Sequence, residues 1–149
     1  MPASGGNGVP LATRLYKSRT LGLMLGFACV AFGMYPLNPP SWVWVLMVIN
    51  GFVWPHLAYQ WSRRNANTLR CERRNLLFDS FCGGFWVGAM HFNPLPSVTT
   101  LSMMTMNNVA IGGTRFMLAG WVAQALGVGV SLLIFTPAFI SMKIGRAHV

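Results

Sequence analysis

The sequence predicts an all-α, polytopic integral-membrane protein, a bundle of five transmembrane helices. Three observations carry that prediction. Hydrophobic residues make up 54% of the 149-residue chain and charged residues only 9%, where a soluble domain solvates its surface with about 25% charged side chains. The apolar residues gather in runs that approach the roughly 20 residues a helix needs to cross the hydrocarbon core. Short breaks rich in Pro, Gly and Asn separate these runs.

Taken in order, residues 1–13 read as a disordered tail, since Met1 to Pro10 offers mainly Gly, Pro, Ser and Asn. The bundle itself is expected over residues 14–136. Arg14, Lys17 and Arg19 precede the first run, Thr20 to Leu37. No small-residue cleavage site follows it, so it is a retained helix and not a signal peptide. Asn38-Pro39-Pro40 ends it, and Ser41 to Trp61 forms the second span. The polar stretch Ser62 to Asn75 reads as a loop carrying Arg63, Arg64, Arg70, Arg73 and Arg74. Leu76 to Asn93 is the third span, closed by Asn93-Pro94-Leu95-Pro96. Ser97 to Gly113 is the fourth, although Asn107 and Asn108 lie inside it. Gly112-Gly113-Thr114 breaks the chain before the fifth, Arg115 to Phe135.

The charge is lopsided: 11 Lys and Arg against two acids, Glu72 and Asp79, a net +9. Nine of the cations precede the first span or fall between the second and third and between the fourth and fifth, while the turns after the first and third carry none; Lys143 and Arg146 follow the fifth span, on the wrong side for this pattern. By the positive-inside rule the N-terminus and the Ser62 to Asn75 stretch face the cytoplasm. Basic charge spread over helix ends also argues against a nucleic-acid-binding face. Two carboxylates supply neither a cage of hard oxygen ligands nor a convincing glycosidase pair, so no catalytic residue and no cofactor is expected in these residues. Cys29, Cys71 and Cys82 are scattered and read as small buried hydrophobes. His56 and His91 sit near opposite ends of neighbouring spans, roughly 15–20 Å apart in depth, too far to share a metal.

Asp79 is the informative acid, because an ionisable residue inside a span faces the bundle interior with a partner. Glu72, Asn75 and Asp79 follow at i, i+3 and i+7, on one helix face. Two partners for Asp79 stand open: His56 across the second and third spans, or Arg63, Arg73 or Arg74 at headgroup level. Arg115 completes the set of candidate polar contacts. Small residues recur at packing intervals, Gly22 and Gly26, then Ser80, Gly84 and Gly88, then Ala119, Ala123, Gly127 and Ser131. Such stripes let helix backbones approach closely in lipid, within one chain or between two copies.

Several strings, in this order, resemble one family. They are Phe52-Val53-Trp54-Pro55-His56-Leu57-Ala58-Tyr59-Gln60, Glu72 with Asn75 and Asp79, Gly84-Phe85-Trp86-Val87-Gly88, Asn93-Pro94-Leu95-Pro96-Ser97, Asn107, and Gly112-Gly113-Thr114-Arg115-Phe116. Together they resemble the second type of membrane-associated sensor domain, over about Arg14 to Phe135. The resemblance implies a non-catalytic N-terminal module of a bacterial signalling enzyme, homodimeric in the lipid bilayer of the inner membrane. It is joined through a sixth helix to a C-terminal cyclase, in most members a diguanylate cyclase whose GGDEF domain makes cyclic di-GMP from GTP with Mg²⁺, in some an adenylate or guanylate cyclase. This sequence reaches neither the sixth helix nor a GGDEF segment. Residues 137–149 read as a truncated end, and Ile144-Gly145-Arg146-Ala147-His148-Val149 matches a translated sequencing-library adapter, so the natural chain is expected to continue beyond Lys143. The rival reading is a small transporter or channel with Asp79, Asn107 and Asn108 along its path, but the repeated halves of such proteins are missing.

Overall fold

Helix α1 spans Gly8–Met34, in a computed structural model that describes residues 8–146 and the side chains of residues 13–135. The stretch expected to be a tail is thus helical from Gly8 onward, with Pro10 in the first turn, where a missing N–H loses no helical partner. Residues 1–7 of that tail and 147–149 of the adapter-like end lie outside the described residues. A 3₁₀ turn, Tyr35–Leu37, ends α1. Asn38 then takes the left-handed conformation (φ 47°), which Asn tolerates, and its N–H donates to the Tyr35 carbonyl at 3.3 Å.

Helix α2 (Ser41–Val48), a π-helical stretch (Ile49–Val53) and α3 (Trp54–Arg64) follow without a break. The wide turn sits directly before Pro55. A proline ring strikes the carbonyl four residues back, here that of Gly51, and has no N–H to donate. Widening the helix locally re-satisfies the freed backbone. Gly51 also touches α1, where an added methyl group would lie 3.2 Å from Phe27 Cβ.

The loop expected over Ser62 to Asn75 shrinks to residues 65–67. Its two flanks are helical because they face each other: Asn75 Nδ2 donates to Ser62 Oγ at 3.2 Å and to the Ala58 carbonyl at 3.4 Å. Asn67 caps helix α4 (Thr68–Ala89), its Oδ1 accepting from the Arg70 N–H at 3.1 Å. At the far end the His91 and Phe92 N–H groups return to the Gly88 and Val87 carbonyls at 3.0 and 3.1 Å. Both residues hold positive φ (54° and 57°), a conformation costing about 1–2 kcal/mol per non-glycine residue.

Helix α5 (Pro94–Arg146) breaks at Gly113, whose φ of 69° and ψ of −166° only glycine adopts readily. Its two arms fold back on each other. Trp121 Nε1 donates to Thr105 Oγ1 at 3.2 Å, although 16 residues of straight helix would hold them about 24 Å apart. The expected fourth and fifth runs are these two arms.

Contacts fix the direction of each helix. Phe27 meets Phe52 and Tyr16 meets Tyr59, so α1 runs antiparallel to α2 and α3. Asn108 reaches Ser80 and Met104 lies against Gly83, so the first arm of α5 is antiparallel to α4. The second arm lies parallel to α4, with Gln124 beside Gly84 and Ser131 beside Gly88. One end of the bundle therefore gathers the cations from the start of α1, the end of α3, the start of α4 and the Gly113 turn. Arg73 pins that turn, its guanidinium 6.0 Å from the centre of the Phe116 ring. The other end holds the apolar core, with Met34, Val43, Met47, Trp86, Met90 and Phe135 buried together. Thr13–Leu37, Ser41–Arg64 and Pro94–Phe135 are long and apolar enough to cross a membrane. Among the described residues every regular element is helical.

Candidate functional site

Both acidic side chains of the chain converge on one arginine in the interior. Arg19 Nη2 donates to Glu72 Oε2 at 2.8 Å, and Arg19 Nε donates to Asp79 Oδ2 at 2.9 Å. Trp54 Nε1 donates to the other Asp79 oxygen, Oδ1, at 2.6 Å. All three charged residues are buried: Arg19 is 5% exposed, Glu72 0% and Asp79 3%. Helix geometry explains the convergence. The i, i+3, i+7 spacing puts Glu72, Asn75 and Asp79 on one face of α4, as the sequence predicts, and one guanidinium presents its fork to both acids. On α3, Trp54, Ala58 and Ser62 recur every four residues and form the face that meets this one.

Neither expected partner of Asp79 is the one it has. His56 lies two residues beyond Trp54, about 200° around the helix, and bonds instead to Tyr16, with 2.8 Å between Tyr16 Oη and His56 Nδ1. Arg63 turns to the Tyr59 ring and Arg73 to Phe116, while Arg74 is exposed. Arg115 is exposed at the Gly113 turn and takes no part in the cluster. In the sequence Arg19 stands only among the cations before the first span and Trp54 only within the family-like string, so neither is among the candidate contacts. A signal was present: Arg19 is the basic residue closest to the first apolar run, and two intramembrane acids need a cation.

The cluster bridges α1, α3 and α4 and carries two carboxylates against one guanidinium. Arg19 Nη1 and Glu72 Oε1 are buried without a hydrogen-bond partner among the described residues. Arg19, Asp79 and Asn107 also line an open-mouthed cavity of about 100 Å³ between α1, α4 and α5. The arrangement binds helices together and offers no activated nucleophile.

The sequence profile of the MASE2 domain matches residues 14–102. The chain belongs to this family. MASE2 is a membrane-associated domain of the kind found at the N-terminus of GGDEF proteins, in agreement with the resemblance carried by the sequence motifs. The chain is also 37% identical, over 126 residues, to the probable diguanylate cyclase DgcC of Escherichia coli K12, and equally to that of Escherichia coli O6:H1. That similarity covers 85% of this chain but 34% of each relative, so the chain spans about a third of their length. No solved structure matches the chain.

Arg19, Trp54, Glu72 and Asp79 all lie inside the MASE2 match. The small residues of this MASE2 chain divide into two groups. Gly84 lies directly against the Gln124 backbone, and Gly127 against Phe81 and Phe85. A methyl group on Gly88 would come within 2.8 Å of Ser131 Cβ. These residues form a tight seam between α4 and the second arm of α5, with Ala123 half-buried beside it. Gly22 and Gly26 do not pack in this way. A methyl group on Gly22 would meet only Met103, at 3.7 Å, and one on Gly26 nothing within 4 Å. The α1 pair borders cavities in place of a helix surface, so its spacing alone misled.

Proposed function

We propose that the chain is the non-catalytic membrane sensor or anchor of a bacterial signalling cyclase. Its parent enzyme makes cyclic di-GMP from GTP in a C-terminal GGDEF domain. The observation that carries this reading is the match of 85% of the chain to a third of a probable diguanylate cyclase, with family membership beside it. The buried cluster supports it, since its side chains join three helices of the bundle. The reading frame beyond Lys143 is the test. A further span followed by a cyclase domain is expected, and a stop codon soon after the second arm of α5 would overturn the proposal.

In this reading the chain crosses the inner membrane five times, with the N-terminus and the cationic end of the bundle in the cytoplasm, and it works as a homodimer that sets the arrangement of two cyclase domains. The alternating helix directions and the gathering of the arginines at one end support that topology. Alkaline phosphatase fused after Leu95 is expected to be active and after Ala66 silent. The reverse pattern would invert the topology.

A further inference from the structure

Outside the buried cluster, a second feature is built from the same helices. A groove of about 610 Å³ opens between α3 and α4 at the cationic end, walled by Trp54, Trp61 and Phe78 and bordered by Asn65, Arg70 and Arg74. Trp61 and Phe78 are 59% and 45% exposed, large apolar surfaces that need a covering. Arg70 and Arg74 are exposed and one helical turn apart, hence on the same face of α4. No acidic side chain of the protein is left for them, because Glu72 and Asp79 are both held by Arg19. Arg70, Arg74 and Phe78 follow at steps of four, so the wall changes from cationic to aromatic over about 12 Å along α4. The Trp54 and Phe78 rings meet at 4.4 Å at its deeper end.

We propose that this groove binds an anionic phospholipid. The phosphodiester sits between the Arg70 and Arg74 guanidinium groups, whose donor forks suit phosphate oxygens. The acyl chain covers Phe78 and Trp61. A water-soluble phosphate would satisfy the arginines but leave the aromatic wall bare, whereas a phospholipid carries the same sequence of charge followed by hydrocarbon. The proposal rests on the membrane setting of the MASE2 domain and is independent of the cyclase reading.

The test uses the purified chain in phosphatidylcholine vesicles containing a minor fraction of lipid with brominated acyl chains, which quench tryptophan on contact. Brominated phosphatidylglycerol is expected to quench more strongly than brominated phosphatidylcholine at the same fraction. The excess should fall in Trp61→Phe, which removes one of the two reporting rings of the groove and leaves Trp54 at its deeper end. Preference for the anionic lipid should fall about fivefold for each arginine removed by Arg70→Gln and Arg74→Gln. It should persist in R63Q/R64Q, which removes the same charge from the end of α3. Equal quenching by the two lipids would overturn the proposal, as would an excess that is undiminished in Trp61→Phe or is lost to the same extent in R63Q/R64Q. Trp61→Phe leaves every charge in place, so it decides the matter even if the arginine pair is needed for folding.

Discussion

Arg19→Met is expected to destabilise the protein by about 3–5 kcal/mol, the usual effect of removing one partner from a buried ion pair. The substitution roughly keeps the side-chain volume and leaves the Glu72 and Asp79 carboxylates facing each other in the interior with only the Trp54 indole to stabilise them. A charge stranded in low dielectric is far more costly than the net contribution of the pair it came from. The measurement is the loss of monodisperse protein on heating in detergent. Adding E72Q and D79N to the same chain should restore most of the stability, because neutral amides remove the stranded charge. An Arg19→Met protein as heat-stable as the parent would show that the guanidinium does not hold the three helices together.

The second large effect is expected at the seam between α4 and the second arm of α5. A methyl group at Gly84 would lie 2.7 Å from the Gln124 carbonyl carbon and 2.8 Å from its Cα, and one at Gly127 would lie 2.7 Å from the Phe85 nitrogen. These are backbone atoms, which cannot rotate aside, so the helices must separate along their length. Contact between helices is a main source of association in lipid. Gly84→Ala and Gly127→Ala should each cost about 1–3 kcal/mol. Gly26→Ala serves as the counterpart, since its methyl group meets nothing within 4 Å. There the better helix propensity of alanine should leave the protein unchanged or stabilise it by roughly 0.5–1 kcal/mol. If unfolding in a denaturing detergent proceeds alike for all three variants, the seam is not tight.

Periodicity and punctuation made most of the fold legible. The Pro-rich turn after α1 and the Gly113 break fall where the sequence places them, and Glu72, Asn75 and Asp79 share the buried face that their spacing requires. The partner of that face was hidden, because spacing along one helix says nothing about which neighbour lies opposite. His56 has the right depth but the wrong azimuth, and the π-helical stretch before Pro55 helps set which way the following turn points. The loop over Ser62 to Asn75 was overextended for a similar reason. Its arginines mark it as polar, yet Ser62, Cys71, Glu72 and Asn75 point inward and make it helical. For the glycines, the same interval marks a tight seam at Gly84 and Gly127 and open space at Gly26, a distinction that only the neighbouring surface decides.

The Arg19 cluster also sets an order of events in biosynthesis. Arg19 precedes Glu72 by 53 residues and Asp79 by 60, so it emerges from the ribosome roughly 3–12 s before both carboxylates are available. Throughout that interval α1 cannot settle at its final depth, and its guanidinium stays among the lipid headgroups at the end of a long flexible side chain. Only the arrival of α4 releases it inward. The helix made first is therefore fixed only after the fourth has been made, and assembly of this bundle has a waiting step written into the distance between three residues.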